Sequence, residues 1–274
     1  MTKDTGDDYL EALETKSIYI IREAYHKYHN KLALLWSMGK DSTALLHLAR
    51  KAFFGKIPLP VIHIDTTYKF KEIYEFRGRL AKEYGIHLII TKNTHALNKK
   101  MSPEKGRYRC CQALKTEALK LAAKDYHLKA FLVAIRRDEH LIRAKERIFS
   151  VRDKNFKWNW RNPSLEMWTE YSDACADQSG HLRVHPLLGW REIDVWRYTK
   201  KEKLPVVNLY FSKKGKRYRS IGCKCCCQAI PSLASNIDKI IAELGATKIA
   251  ERSGRCQDKE KTYMMQKLRS LGYM

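Results

Sequence analysis

The chain has 274 residues, 44% of them hydrophobic and 30% charged, enough for one large core or for a domain with an appendage. No apolar run approaches the ~20 residues of a bilayer span, and the opening Met1-Thr-Lys-Asp-Thr-Gly-Asp-Asp8 is too polar for a secretory signal, so a soluble, cytoplasmic protein with no membrane partner is expected. The 53 Lys and Arg against 30 Asp and Glu leave a formal charge of +23, far above the ~2–8 that solubility asks of a small domain, and nucleic acid is the expected polyanionic partner.

In chain order, residues 8–29 carry apolar side chains at three- and four-residue intervals and predict a helix. Strands and helices then alternate: strand Leu32–Trp36, helix Ser42–Phe54, strand Leu59–Ile64, helix Lys71–Tyr84, strand Ile86–Thr91, helix Gln112–Asp125 and strand Lys129–Val133. Such alternation predicts an α/β fold, a parallel sheet with helices on both faces. Its ligand belongs beyond the carboxyl ends of the strands, where strand order reverses. Ser37–Ser42 and Asp65–Thr66 both follow strand ends and are expected to line one pocket. Residues 136–185, which contain Trp158, Trp160 and Trp168, lose the pattern, and part of the stretch reads as a functional flap. Those tryptophans offer either stacking surfaces for bases or apolar area for a core. A helix over Arg191–Glu202, a basic stretch over 212–224 and a helix over Ser232–Leu244 follow. The chain thus divides into a nucleotide-binding domain, 1–135, and a C-terminal lobe, 136–274, with an arginine motif, cysteines and a basic surface.

Trp36-Ser-Met-Gly-Lys-Asp-Ser42 falls on the first strand-to-helix turn. Helix N-terminal N–H groups and the helix dipole favour an anion there. Gly39 permits close backbone approach, Ser37 and Ser42 supply hydroxyl donors, and Lys40 supplies a cation. Asp41 is placed to hold Mg2+ or to cap the helix. The spacing excludes a Walker A loop, and a serine-rich capped turn is the bland alternative. Arg136-Arg137-Asp-Glu139 sets two guanidinium groups side by side, with a surface salt-bridge run as the bland alternative.

Eight cysteines occur, at 110, 111, 175, 223, 225, 226, 227 and 256. In a cytosolic chain their clustering points to metal or redox chemistry. Cys110, Cys111, Cys223 and Cys226 are the four-thiolate set for a [4Fe–4S] cluster. Zinc is the lesser alternative, because structural zinc sites favour spaced knuckles over a tandem pair. Arg107, Arg109, Arg219 and Lys224 would favour the thiolate form.

The loop at 37–42 resembles the PP-loop of ATP pyrophosphatases, with Met38 in place of the first glycine. His63-Ile-Asp-Thr66, Arg136-Arg-Asp-Glu139, Arg143-Ala-Lys-Glu-Arg147, Arg183-Val-His-Pro-Leu187, Glu251-Arg-Ser-Gly-Arg255 and the closing Leu-Gly-Tyr-Met are similar to the small subunit of bacterial ATP sulfurylase. The wider family includes adenylylsulfate reductases, whose cluster motif Cys110-Cys111 and Cys223-x-x-Cys226 resemble, and the pyrophosphatases of DNA phosphorothioation. The resemblance implies an adenine-nucleotide α-hydrolase-like fold, ATP and Mg2+ as ligands, cleavage between the α and β phosphates, and adenosine bordered by Asp65 and Thr66. Met38 joins Ser37, Gly39 and Ser42 in the phosphate loop, with Lys40, Asp41, Arg136 and Arg137 as the chemical residues. The reductases' terminal Glu-Cys-Gly-x-His is absent, which leaves Cys256 as the sole C-terminal thiol for a reduction.

Combined with the charge, the resemblance makes the leading expectation an ATP pyrophosphatase that activates the DNA backbone for sulfur insertion, with a cysteine desulfurase as sulfur donor. The alternatives are a sulfate adenylyltransferase small subunit working with a GTPase partner, an adenylylsulfate or phosphoadenylylsulfate reductase, a tRNA thiolase, and a basic adaptor without catalysis.

Overall fold

Leu32–Leu35, Val61–Ile64, Ala130–Leu132 and His181–Val184 are buried along their whole length, as strands covered on both faces must be. The structure, a computed structural model, describes residues 5–161, 180–256, 267–268 and 270–272. In chain order it contains α1 (Thr5–Tyr28), β1 (Leu32–Leu35), α2 (Lys40–Ala52), β2 (Val61–Ile64), α3 (Lys71–Glu83), β3 (Leu88–Thr91), α4 (Thr94–Asn98), α5 (Arg107–Cys111), α6 (Glu117–Asp125) and β4 (Ala130–Leu132). Then come β5 (Phe149–Arg152), β6 (His181–Val184), α7 (Glu192–Lys201), β7 (Lys216–Arg217), β8 (Ile230–Pro231) and α8 (Ile237–Ala246).

The main sheet has the order β3-β2-β1-β4-β6-β5. All its pairs are parallel except β5 with β6. The chain steps outward from β1 to β3 and returns to β4 on the other side of β1, so strand order reverses between β1 and β4. Right-handed crossovers then put the helices before and after that reversal on opposite faces. The α/β expectation is met: a mostly parallel sheet with helices.

Local chemistry sets the ends of the elements. β2 starts at Val61 rather than Leu59 because Pro58 and Pro60 have no N–H for the ladder. The last helix starts at Ile237 rather than Ser232 because Asn236 caps it, accepting from Lys239 N at 2.9 Å. The helix expected over Gln112–Asp125 begins earlier, as α5, and passes through a π-helical turn at Gln112–Thr116 into α6.

The stretch 136–185, expected to be irregular, supplies β5 and β6, and β6 pairs with β4. The main sheet therefore continues past residue 135. Trp158 is buried beneath the Arg152 guanidinium, 5.1 Å from the ring centroid. Trp160 lies between Lys145 and Arg161, and Trp168 is outside the described residues, as is Cys175.

Candidate active site

One cavity lies at the reversal, between the carboxyl ends of β1, β2 and β4. Ser37, Gly39, Lys40, Asp41 and Ser42 form one side of it. Within the loop, Ser37 N donates to Ser42 Oγ at 3.2 Å and Ser42 Oγ donates to the Gly39 carbonyl at 3.1 Å. Gly39 precedes α2 with φ −73°, so the glycine is not required by backbone angle. A Cβ here would meet Ser37 Oγ at 3.4 Å and the Tyr210 hydroxyl at 3.5 Å, ordinary contacts, so packing within the protein does not require the glycine either. Met38 takes the left-handed conformation, φ 60°, which costs an L-residue ~1–2 kcal/mol. Its side chain is buried in the core rather than in the cavity.

Lys40 and Arg136 are buried side by side in a network of carboxylates. Lys40 Nζ lies 3.1 Å from Asp41 Oδ2, pairs with Glu251 Oε1, and is 4.0 Å from Glu192 Oε1. Arg136 pairs with Asp41 Oδ1, Glu251 Oε2 and, at 3.0 Å, Asp138 Oδ1. Glu192 also receives Arg219 at 2.7 Å. Burial disfavours the Lys40 ammonium, but Asp41 and Glu251 outweigh it and raise its pKa. Arg136 is raised in the same way. Burial would raise Glu251, yet Arg136 and Lys40 hold it far below the carboxylate range. Glu192 is pushed up by burial and by the Glu251 charge. Tyr210 accepts a hydrogen bond from Lys40 N at 2.9 Å, and burial raises its phenol to about 12.

The cavity lining also includes Lys69, Lys115 and Arg255. Arg255 donates to Ser220 Oγ at 3.0 Å, to the Ile221 carbonyl at 2.6 Å and to Cys227 Sγ at 3.1 Å, none of them a carboxylate. Lys69 is lowered chiefly by burial, with Lys115 and Arg255 adding repulsion.

Other expected residues point elsewhere. Arg137 donates to the Glu146 carbonyl at 3.3 Å and does not line the cavity. Asp65 accepts from Thr67 N at 2.8 Å and from the Tyr74 hydroxyl at 2.9 Å. Thr66 Oγ1 lies 3.1 Å from Cys223 Sγ. From β2 it is His63 and Ile64 that face the cavity. Glu251, Glu192, Tyr210 and His63 were not among the expected site residues. Their signals were faint: Glu251 opens a tail motif known only by resemblance, and His63 is the one polar residue in Val61-Ile-His-Ile64.

The cysteines come together at the edge of this site. Cys110 and Cys111 end α5, and Cys223 precedes and Cys226 ends a turn held by Lys224 N donating to the Tyr68 carbonyl at 2.7 Å. All four are buried. Burial, with Cys111 and Cys223 nearby, raises Cys110 to about 12, and burial with Cys225 and Cys223 does the same to Cys226. Burial works against the Cys223 thiolate too, but Lys115 and Lys69 bring it down to about 7. Among the described residues no group of three or more His, Cys, Asp or Glu side chains is placed to hold a metal ion, so neither the [4Fe–4S] cluster nor zinc is shown here. No helix among them is long and apolar enough to cross a membrane.

Residues 31–229 match the phosphoadenosine phosphosulfate reductase domain family. The chain belongs to this family. Within it, the chain is 38% identical to sulfate adenylyltransferase subunit 2 of Psychromonas ingrahamii, with 97% of each chain covered. The protein of that name from Citrifermentans bemidjiense is 36% identical, covering 97% of this chain and 98% of its own. Candida glabrata FMN adenylyltransferase in complex with ATP superposes with a TM-score of 0.59 at 16% identity, over 93% of this chain and 90% of that one. Phosphoadenylyl-sulfate reductase from Candida auris gives 0.56 at 17%, over 84% and 99%. These two likenesses establish the fold alone.

Family membership corrects the leading expectation. Relatives matched over nearly the whole chain are sulfate adenylyltransferase subunits, which overturns DNA-backbone activation and sulfur insertion, together with DNA and a cysteine desulfurase as partners. A formal charge of +23 does not by itself make a surface for a polyanion. A net charge has no location, and Arg136, Arg152, Arg183, Arg217 and Arg219 are buried.

Proposed function

We propose that this chain is the adenylyl-transferring subunit of a sulfate adenylyltransferase. A sulfate oxygen attacks the α-phosphorus of ATP, a new P–O bond forms, and the bond to the β-phosphate breaks with its electron pair leaving on pyrophosphate. The observation that supports this best is one cavity joining the phosphate loop to a second group of cations, in a chain 36–38% identical to such subunits.

Ser37, Gly39, Ser42 and the start of α2 would hold the phosphates, while Lys40 and Arg136 offset charge on the departing pyrophosphate. Lys69, Lys115 and Arg255 would receive sulfate. Asp41 reaches the cavity with 17% of its side chain exposed. Its hard oxygens suit Mg2+, which when bound supplies charge to the phosphate oxygens. Cys110, Cys111, Cys223 and Cys226 are buried, mutually close and near Lys69 and Lys115, a donor set that fits a [4Fe–4S] cluster. Its position at the edge of the cavity suits an electrostatic and structural role.

The subunit name of the relatives implies a companion chain, a GTPase by the resemblance noted above. The test is pyrophosphate release by anaerobically purified protein together with that companion. Sulfate-dependent release, with adenylylsulfate formed in equal amount, is expected. Release of AMP and pyrophosphate without sulfate, or of ADP and phosphate, would refute the assignment.

A further inference from the structure

His63 is fully buried on β2, between Ile62 and Ile64, and it lines the cavity wall. Its Nδ1 lies 3.1 Å from the Trp36 carbonyl oxygen. A carbonyl only accepts, so Nδ1 carries the proton, and in the neutral ring Nε2 is left as a lone-pair acceptor. The ring does stay neutral, because burial and the nearby Lys69 charge lower its pKa to about 3. Nε2 has no hydrogen-bond partner. A buried acceptor left unpaired costs free energy that an aliphatic residue would avoid.

The cavity is chemically divided. Its charged walls carry the lysines and arginines described above, whereas Leu35, Ile64, Val133 and Ile135 make an apolar slot at the strand ends. His63 belongs to β2, which supplies Ile64 to this slot. Phosphate and sulfate oxygens are themselves acceptors at neutral pH, so a bare Nε2 lone pair repels them. Among the parts of a nucleoside triphosphate, only the nucleoside carries donors.

We propose that His63 Nε2 accepts a hydrogen bond from the nucleoside of the bound nucleotide, either the purine 6-amino group or a ribose hydroxyl, and thereby makes His63 a specificity-determining residue. The proposal rests on the nucleotide reading above. It adds a reader of the nucleoside, separate from the cations that meet the phosphates.

The experiment is equilibrium binding, by calorimetry, of ATP, purine riboside triphosphate, 2′-deoxy-ATP and 3′-deoxy-ATP to the wild-type protein and to His63→Phe. The analogue lacking the bonded donor should bind the wild type ~10-fold or more weakly than ATP, the scale of one lost buried hydrogen bond. His63→Phe should weaken ATP by a similar factor and leave that analogue unchanged. In wild-type protein labelled with 15N-histidine, the Nε2 resonance should move with ATP and not with that analogue, a readout independent of the variant's folding. Equal affinity for all four ligands, an analogue penalty that persists in His63→Phe, or an unmoved Nε2 resonance would overturn the proposal. Failure of ATP to bind the wild type at all would overturn the nucleotide reading, and this one with it.

Discussion

Glu251 lies 211 residues from Lys40 in sequence, yet its two carboxylate oxygens bind Lys40 and Arg136. Those three charges are mutually dependent, since each alone would be an uncompensated ion in the interior. An ordinary glutamate titrates near ~4.3. Despite burial, Arg136 and Lys40 hold Glu251 well below that, so its contribution to stability is present above the ordinary value and is lost as pH falls through the acid range. Urea unfolding between pH 7 and pH 3.5 should therefore show stability declining with acid. Glu251→Gln should be less stable at pH 7, by about 3–5 kcal/mol as for other broken buried pairs, and its dependence on pH should be shallower. Equal slopes for the two proteins would show that the Glu251 carboxylate titrates no lower in the folded state than in the unfolded chain. The phosphate loop was legible residue by residue, because Ser37, Gly39, Lys40 and Ser42 are local in sequence. Glu251 was not, because nothing near it in the chain says which cations it will meet.

Among the elements, α5 and the turn at 224–226 with its preceding residue Cys223 matter most, since they present Cys110 with Cys111 and Cys223 with Cys226. Cys110-Cys111 and Cys223-x-x-Cys226 were readable as paired ligands, and their meeting depends on contacts that spacing does not encode: Lys224 on Tyr68 and Thr66 against Cys223. Anaerobically purified protein is expected to show broad visible absorption that disappears in Cys110→Ser and in Cys226→Ser. A colourless protein holding one equivalent of zinc would remove the cluster from this account. The π-helical turn at Gln112–Thr116, directly after the tandem cysteines and containing Lys115, is the kind of irregularity that often accompanies functional residues. A regular helical period had concealed it.

For the molecule as a whole, the main sheet joins both halves of the chain. β6 pairs with β4 from Ala130 to Leu132, and α1 packs on β1, β4 and β6. Tail residues return too, with Gln228 N donating to the Gly254 carbonyl at 2.8 Å and Arg183 to the Gly272 carbonyl at 2.6 Å. Thermal unfolding followed by far-ultraviolet circular dichroism and by tryptophan fluorescence should give coincident curves. Two separated transitions would mean that residues after 135 fold as a unit of their own.

From the sequence alone come the alternation of strands and helices, the place of the phosphate loop at the end of β1, and the paired cysteines, because periodicity, turn chemistry and ligand spacing are local properties. The tertiary structure decided which charges compensate one another. It buried Arg136 against Asp41 and Glu251 while Arg137 turned to the Glu146 carbonyl, brought Glu251 to Lys40, and put His181–Val184 inside the sheet although Arg183 is one of its residues. Burial of a charged or polar group depends on the partner it finds, and here the partners lie far along the chain. The phosphate loop was therefore visible from the start, while the site around it took shape only when the chain folded.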